Sequence, residues 1–192
     1  GDQPVESAKS SRLRTLASGD VHGCLTALRT LAEAATITPA DRLVLLGDYV
    51  DRGPDSRGVI DWVLERQREM EVICLRGNHE VMMLGARTNA QLARSWAGFG
   101  GLEALTSYGT GFQQDWVAAV PEAHWEFLES TRNYFETDTH IFVHGSAKGD
   151  TAMAQQDPSD LLWGRCFEMT PHFSGRRVVC GHTPQEHDRI GC

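Results

Sequence analysis

Short apolar runs along this chain each end in a polar loop, and apolar residues at helical spacing follow the first three of these loops. Short apolar runs between turn residues indicate buried strands, and apolar residues three and four positions apart indicate amphipathic helices. Three successive strand–loop–helix units therefore predict a largely parallel sheet with helices on its faces. The strands are predicted at 13–17, 43–46 and 72–75. The helices are predicted at 24–35, after Pro54 to about Glu69, and from the stretch 76–80 on through Leu84.

Two further strands are predicted later in the chain, at 139–143 and 177–180. Between the two groups of strands, residues 88–136 are predicted to form helices broken by turns. Phe99-Gly100-Gly101 is one of these breaks, and a helix is expected from Pro121 through Leu128. No internal repeat and no low-complexity linker marks a second domain in this pattern.

The composition is typical of a globular protein, with 41% hydrophobic and 23% charged residues. A chain of 192 residues can bury a full core, so we expect one domain over 13–192 after a polar, flexible lead-in at 1–12. No apolar run approaches the ~20 residues of a membrane helix, and the first residues lack a signal-peptide core. Five cysteines without a Cys-x-x-Cys pair favour reduced thiols, and the expected compartment is the cytoplasm.

The formal net charge of −8 is acidic. Nucleic acids and anionic membranes are bound by basic surfaces, so neither is expected as the main partner. Carboxylates that bind cations would reduce the negative field of the folded protein below this formal value.

Every one of the five predicted strands is followed by Asp, His or Asn beside a glycine. A single residue of this kind is usually a turn or cap residue, so none of them marks a site alone. Ligands of parallel sheets gather at the carboxyl ends of the strands, however, and all of these side chains fall at that one predicted edge. The set consists of Asp20, His22, Asp48, Asn78, His144 and His182.

The mixture of imidazole, carboxylate and amide groups in this set predicts a site for divalent metals. Magnesium and calcium prefer oxygen ligands alone, whereas manganese, iron and zinc also accept imidazole. Two such ions need a shared carboxylate if they are to lie roughly 3.5–4 Å apart. Asp48 follows the buried run at 43–46, and we predict that it bridges two metals that generate a hydroxide nucleophile.

Three arginines, Arg52, Arg76 and Arg165, lie beside or within these loops. A guanidinium group matches phosphate oxygens in a bidentate way, so we predict phosphate contacts for them, with a surface ion pair as the alternative for each. His79 comes directly after a predicted ligand and is expected to face the site without binding metal. Hydrogen-bonded to Asp51, it would be a protonated imidazole that gives its proton to the leaving oxygen.

The polar loops resemble the signature blocks of the PPP-type serine/threonine phosphoprotein phosphatases, which belong to the calcineurin-like metallophosphoesterase superfamily. The first three blocks are Gly-Asp-Val-His-Gly at 19–23, Gly-Asp-Tyr-Val-Asp-Arg-Gly at 47–53 and Arg-Gly-Asn-His-Glu at 76–80. The later blocks resemble those of the small bacterial and phage members: His-Gly at 144–145, Leu-Leu-Trp-Gly-Arg at 161–165 and Gly-His-Thr-Pro at 181–184.

This resemblance implies an α/β fold of two packed β-sheets flanked by helices, with a dinuclear metal site at the loop edge. It implies that His79 and Asp51 form the acid pair and that the three arginines contact phosphate. The two metals would share one carboxylate: Asp20, His22 and Asp48 would hold one, and Asp48, Asn78, His144 and His182 the other.

The reaction implied is hydrolysis of a phosphate monoester in a phosphoprotein or phosphopeptide, on phosphoserine or phosphothreonine, by in-line attack of the metal-bound hydroxide. Manganese is the expected metal, with iron or zinc as alternatives. A symmetrical diadenosine tetraphosphatase is the nearest rival. Those relatives tend to have Val-Ala-Arg-Gly and Asn-His-Asp, where this chain has Val-Asp-Arg-Gly at 50–53 and Asn-His-Glu at 78–80. A non-catalytic module that binds metal or phosphate is a second alternative.

The chain departs from the family pattern in two places. His-Gly-Ser at 144–146 stands where the family usually has His-Ala-Gly. Relatives also continue past the Gly-His-Thr block with further strands, whereas the sequence given ends at Cys192. Two expectations follow and stay open: either the C-terminal sheet is shortened, or the sequence given is incomplete.

Overall fold

Two three-stranded sheets form the centre of this structure, a computed structural model that describes residues 13–184. The strands are β1 (Thr15–Ser18), β2 (Arg42–Leu45), β3 (Glu71–Cys74), β4 (Tyr134–Glu136), β5 (His140–Val143) and β6 (Arg177–Cys180). The first sheet is parallel in the order β1-β2-β3, as predicted; in the second, β5 pairs antiparallel with β4 and parallel with β6. The lead-in at 1–12 and the chain after 184, where the prediction about the C-terminal sheet falls, lie outside the described residues.

Helices follow the first three strands after short loops, which confirms the predicted strand–loop–helix units. The helices are α1 (Leu25–Ala34), α2 (Ser56–Gln67), α3 (Asn78–Thr88), α4 (Ala90–Trp96), α5 (Leu102–Ser107), α6 (Trp116–Ala119), α7 (Glu122–Ser130) and α8 (Pro158–Trp163). A kinked turn at Ala97–Gly101, with non-helical backbone angles at Gly100, joins α4 to α5. Over the described residues, no helix is both long enough and apolar enough to cross a membrane.

Alternation along the central strands places apolar side chains on both faces of each sheet. On β2, Leu45 packs with residues of α2 in the largest hydrophobic cluster, whereas Val44 packs against Phe142 of β5, between the two sheets. On β5, Val143 points the other way and packs with Leu161 of α8. The layers are therefore helix, sheet, sheet and helix. This confirms the predicted fold class.

The prediction of helices broken by turns over 88–136 is wrong at its end, because Tyr134–Glu136 is the strand β4. Phe135 lies opposite Phe142 in this pairing, and their rings stack with centroids 5.9 Å apart. Three residues are too few to show an alternating pattern, so pairing with β5 decides the conformation. The predicted break at Phe99-Gly100-Gly101 is confirmed, because the helical path is interrupted by a kink at Gly100, which has φ +107°.

Candidate metal centre

The six predicted ligands come together where strands of both sheets end. This placement follows from chain direction, because β1, β2 and β3 are parallel and β6 is parallel to β5, so each loop leaves a strand at its carboxyl end. Asp20 and His22 follow β1, Asp48 follows β2, Asn78 follows β3, His144 follows β5 and His182 follows β6.

One carboxylate oxygen of Asp48 lies between histidines from the two sheets. Its Oδ2 is 3.5 Å from Nε2 of His22 and 3.4 Å from Nε2 of His144. Its Oδ1 accepts a hydrogen bond from the backbone N–H of His79 at 3.1 Å. The Asp48 side chain is almost completely buried. This shared, buried position is what a carboxylate that bridges two cations requires.

The two histidines are oriented by backbone carbonyl groups. Nδ1 of His22 lies 2.9 Å from the Val50 carbonyl oxygen, and Nδ1 of His144 lies 2.8 Å from that of Leu46. When each Nδ1–H donates to its carbonyl, each Nε2 presents a lone pair toward Asp48, which is the orientation of a metal-ligating imidazole.

Several atoms that offer lone pairs lie close together here, and this arrangement suits a bound cation. Nε2 of His22 is buried and has no hydrogen-bond partner among residues 13–184. Nε2 of His144 lies 3.0 Å from Oδ1 of Asn78, so two groups that both offer lone pairs face each other. Such atoms need a proton or a cation between them, because a buried polar atom without a partner is costly. The residues present therefore fit divalent metal ions.

The residues predicted for the second metal are close together. Asp48, His144 and His182 each offer a ligand atom, and these atoms lie within 4.8 Å of one another. The rings of His144 and His182 have centroids 5.0 Å apart. With Asn78 beside His144, the structure gathers all four residues of this predicted set at one point.

Asp20, which is predicted to bind the first metal with His22 and Asp48, lies farther from His22 than Asp48 does. Its Oδ2 is 3.9 Å from Nε2 of His22. Its Oδ1 accepts a hydrogen bond of 2.8 Å from the backbone N–H of His182. Asp20 thus connects the loop after β1 to the loop after β6, which lie in different sheets.

His79 forms the predicted hydrogen bond with Asp51, with Nδ1 2.7 Å from Oδ2. Both side chains are buried, and burial raises the pKa of Asp51 while the hydrogen bond from His79 lowers it. The ring of His79 packs edge-on against that of His22, with centroids 4.6 Å apart. A ligand atom of His79 also lies within 4.8 Å of those of His22 and Asp48, so this position suits either an acid or a further ligand.

Burial and neighbouring charges shift the pKa values of the other site residues in both directions. For His144, burial acts to lower the pKa, but the hydrogen bond and charge of Asp48 raise it. Burial lowers the pKa of both His22 and His182, which favours the neutral imidazole that binds metal. For Asp48, burial acts to raise the pKa, but the hydrogen bond from His144 and the charges of His144, His79 and His22 together outweigh it and lower the value to about 2. Asp48 is therefore a carboxylate across the physiological range of pH.

Glu80 is a functional neighbour to which the sequence pattern alone assigned no role. Its buried carboxylate accepts hydrogen bonds from the backbone N–H groups of Asp48 (2.8 Å), Tyr49 (2.8 Å) and Gly77 (2.7 Å). Burial and the charge of Asp48 raise its pKa to about 7, and the N–H donors act in the opposite direction. The signal was present in the spacing, because a glutamate three residues after a helix N-cap forms one half of a capping box.

Glycines allow the loops after β2 and β3 to approach each other. Gly47 has φ +105°, in the left-handed region, and a Cβ there would lie 2.5 Å from the backbone nitrogen of Gly77. A Cβ on Gly77 would in turn overlap the carboxylate of Asp48. Any larger residue at either position would push Asp48 away from the two histidines.

Two of the three predicted arginines are exposed at this edge. Arg52 follows Asp51, and both have left-handed backbone angles, with φ +66° and +74°. Arg165 lies after α8, with its guanidinium carbon 5.9 Å from the ring centroid of Phe167. Exposed guanidinium groups beside clustered metal ligands are suitably placed for an anionic substrate.

The geometry does not support the predicted phosphate contact of Arg76. Its Nε donates to Oγ1 of Thr131 at 2.9 Å, and its Nη2 donates to the carbonyl oxygens of Glu129 (2.6 Å) and Leu128 (3.3 Å). These carbonyl groups lie at the C-terminus of α7, where a positive charge is favourable. Arg76 therefore caps α7.

Residues 13–191 match the family described as calcineurin-like phosphoesterase. The chain belongs to this family. Its members are hydrolases that use divalent metals, in agreement with the clustered ligands at the sheet edge. The resemblance noted from the loop sequences is thereby confirmed.

Relatives within the family act on different substrates. Serine/threonine-protein phosphatase 1 of Salmonella typhimurium (strain LT2) is 32% identical over 174 residues, which are 86% of this chain and 76% of that protein. A symmetrical bis(5'-nucleosyl)-tetraphosphatase of Pseudomonas putida (strain GB-1) is 38% identical over 80 residues, which are 41% of this chain and only 27% of that protein.

Solved structures of the family share the fold. A crystal structure with the provisional description of a diadenosine tetraphosphatase superposes with a TM-score of 0.59 at 21% identity and covers 79% of this chain and 59% of that one. A protein serine/threonine phosphatase from Saccharomyces cerevisiae superposes with a TM-score of 0.51 at 18% identity and covers 74% of this chain and 41% of that one. This calcineurin-like chain therefore spans about half the length of these two structural neighbours.

Proposed function

We propose that this calcineurin-like chain hydrolyses phosphate monoesters, with phosphoserine and phosphothreonine in proteins or peptides as the substrates. The observation that carries the proposal is the shared position of Asp48 Oδ2 between His22 and His144, beside the hydrogen-bonded pair of His79 and Asp51. Manganese is the proposed metal, with iron or zinc as alternatives. The proposed setting is the cytoplasm, with no nucleic acid or membrane as partner.

Two bound cations would lower the pKa of a water molecule and offset the charge that develops on the phosphoryl oxygens. In the proposed reaction, the water oxygen adds to phosphorus, the ester P–O bond breaks, and its electron pair stays on the leaving oxygen. Protonated His79 gives the proton on Nε2 to that oxygen, and a proton of the water later restores His79. The products are an alcohol and inorganic phosphate.

The exposed arginines are proposed to hold the phosphoryl group. Arg52 and Arg165 lie on loops from different sheets, so their guanidinium groups can approach the substrate from two sides. Asp51, held by its hydrogen bonds, would keep His79 aligned and stabilise its protonated form.

Two observations favour a phosphoprotein over the dinucleotide as substrate. The phosphatase from Salmonella aligns over 86% of this chain, whereas the tetraphosphatase from Pseudomonas aligns over 41%. Asp51, one of the residues in which the chain departs from the tetraphosphatase pattern, takes part in the acid pair itself.

The test is turnover by protein that has been stripped of metal with a chelator and then loaded with manganese. We expect hydrolysis of p-nitrophenyl phosphate and of a phosphoserine or phosphothreonine peptide, and no hydrolysis after chelation. A phosphotyrosine peptide and diadenosine tetraphosphate are the comparison substrates. A strong preference for the dinucleotide would reject the phosphoprotein assignment, and metal binding without turnover of any substrate would identify a non-catalytic module.

A further inference from the structure

A segment that contains none of the predicted site residues lies directly against the acid pair and Arg52. The helix α4 ends at Trp96 and passes into the kinked turn Ala97–Gly101, which leads into α5. Gly100 in this turn has φ +107°, which an L-residue with a side chain rarely adopts. Because a sharp kink between helical segments has an identifiable local cause, the contacts of this segment are informative.

The indole of Trp96 binds the carboxylate that orients His79. Its Nε1–H donates to Oδ2 of Asp51 at 2.8 Å, and this is the same oxygen that contacts Nδ1 of His79 at 2.7 Å. The other oxygen, Oδ1, is buried and has no hydrogen-bond partner within the described residues. Trp96 therefore supplies one of the two side-chain hydrogen bonds that the structure records on this carboxylate.

The indole itself has little freedom to move. Trp96 is only 1% exposed, and its ring packs against Phe112 and Trp116 at centroid distances of 6.0 and 5.3 Å. Because a rigid donor fixes the acceptor it binds, this packing determines where the Asp51 carboxylate lies.

The turn also contacts the neighbouring arginine. The carbonyl oxygen of Gly100 accepts a hydrogen bond from the backbone N–H of Arg52 at 3.1 Å. A Cβ on Gly100 would lie 2.6 Å from that nitrogen and 2.7 Å from Cγ of Arg52, so only glycine fits here. Asp51 and Arg52 both hold left-handed backbone angles, which residues other than glycine adopt uncommonly, and the contacts with Gly100 help to keep Arg52 in this conformation.

We propose that the segment from Trp96 to Gly100 positions two functions at once: its indole N–H aligns the Asp51–His79 acid pair, and its Gly100 carbonyl sets the direction of Arg52. This inference rests on the proposed phosphatase function. Trp96 is a positioning residue, because it acts through Asp51 and contacts neither the substrate nor the metal ligands. We therefore expect changes at Trp96 to affect proton donation and changes at Gly100 to affect binding of the phosphoryl group.

The first variant is Trp96→Phe, which keeps an aromatic ring and removes the N–H donor. Proton donation matters more for an alkyl leaving group than for p-nitrophenolate, which leaves readily without a proton. We therefore expect kcat to fall roughly 10-fold to 100-fold on a phosphoserine peptide, with less than about a 3-fold loss on p-nitrophenyl phosphate and little change in KM. The matched control is Trp116→Phe in the same aromatic cluster, which should not change the ratio of the two rates.

The second variant is Gly100→Ala, which pushes against Arg52. Because Arg52 binds both substrates by their phosphoryl group, we expect KM to rise several-fold for both and the ratio of the two kcat values to stay at the wild-type value. The double variant Trp96→Phe/Asp51→Asn should be no slower on the peptide than Asp51→Asn alone, since the indole acts only through that carboxylate.

Equal losses of kcat on both substrates in Trp96→Phe, or an additive double variant, would overturn the role of the indole. Unchanged kinetics in Gly100→Ala would overturn the role of the turn, and this result is informative even if Trp96→Phe does not fold. Wild-type protein that hydrolyses no monoester would instead reject the proposed function. Melting temperature and metal content of each variant separate these outcomes from unfolding.

Discussion

Two buried histidines in this molecule each contact an aspartate at hydrogen-bond distance but lie in different surroundings. At the loop edge, Nδ1 of His79 is 2.7 Å from Oδ2 of Asp51; in the helical layer, Nε2 of His124 on α7 is 2.9 Å from Oδ1 of Asp61 on α2. The two histidines are 2% and 3% exposed. Distance and burial of the imidazole therefore do not distinguish the pairs.

The second ring nitrogen and the partner carboxylate distinguish them. Nδ1 of His124 is 2.8 Å from the hydroxyl of Tyr108, so both of its ring nitrogens are used within the protein. Nε2 of His79 has no hydrogen-bond partner among residues 13–184 and lies beside the clustered ligands. The side chain of Asp61 is 60% exposed, whereas Asp51 is fully buried. A histidine–aspartate pair can thus act as an acid only where the other nitrogen can reach a substrate.

The comparison is tested most directly by replacing each histidine with asparagine. His79→Asn should lower kcat by about 10²-fold to 10⁴-fold, as expected for loss of a general acid, while metal content and melting temperature stay normal. His124→Asn should keep kcat and lose about 1–3 kcal/mol of unfolding free energy, because it breaks hydrogen bonds among three helices. The measurements are steady-state kinetics, metal analysis and denaturant unfolding.

The opposite results for His79→Asn and His124→Asn would contradict the roles assigned to the two histidines. Loss of metal in His79→Asn would show that His79 is a ligand, since one of its ligand atoms lies within 4.8 Å of those of His22 and Asp48. A large fall in kcat in His124→Asn, with unchanged stability, would place the helical layer in the chemistry.

Smaller effects are expected from replacing Arg52 and Arg76, for which the sequence predicted the same kind of phosphate contact. Arg52→Ala should lower kcat/KM roughly 10-fold to 100-fold with normal stability, because a guanidinium that binds phosphate is lost. Arg76→Ala should instead lose about 1–3 kcal/mol of unfolding free energy with little change in KM, because it leaves the end of α7 without its donors.

Arg76→Lys is the matched control, since it keeps the positive charge at the helix terminus but cannot reproduce all three donors. It should retain part of the stability lost in Arg76→Ala. If Arg76→Ala raises KM as much as Arg52→Ala does, the phosphate contact predicted from the sequence stands after all.

The smallest expected effect is a pH dependence of stability from the helical layer. Burial lowers the pKa of His124 below its ordinary value of 6.5, although Asp61 acts in the opposite direction. Between the two pKa values the unfolded chain binds more protons than the folded one, so this residue makes stability decrease as the pH falls below about 6.5. Between about pH 7 and pH 5, the unfolding free energy of His124→Gln should therefore fall less than that of wild type; an equal fall would contradict the buried neutral imidazole.

The grouping of the six candidate metal ligands could be predicted because each of these residues follows a strand in a short loop. The apolar run at 43–46 predicts a strand, parallel order then fixes which end carries Asp48, and the same holds for His144 after β5. Loop sequences also carry the family resemblance, so fold class and ligand types were both accessible. What the loops could not show was how far apart these side chains would lie.

Other features depended on contacts between residues distant in the chain. Trp96 meets Asp51 across 45 positions, and nothing in the helical pattern around Trp96 distinguishes it from an ordinary core residue. Arg76 follows β3 in the same way that Arg52 follows β2, yet its donors reach α7, more than 50 positions away. In each contact, one of the two residues lies on or at the end of a helix, and packing alone determines where that helix lies.

The sequence by itself therefore determined that the fold has sheet layers and helix layers, at which sheet edge the candidate ligands gather, and which chemical groups they carry. It could do so because strand direction and residue type are local properties. The tertiary structure alone decided that Asp48 lies between histidines of two sheets, that Glu80 accepts hydrogen bonds from N–H groups of the loops after β2 and β3, and that Trp96 donates to Asp51. These relations join segments far apart in sequence, and they form only when the apolar faces of the sheets and helices are buried together.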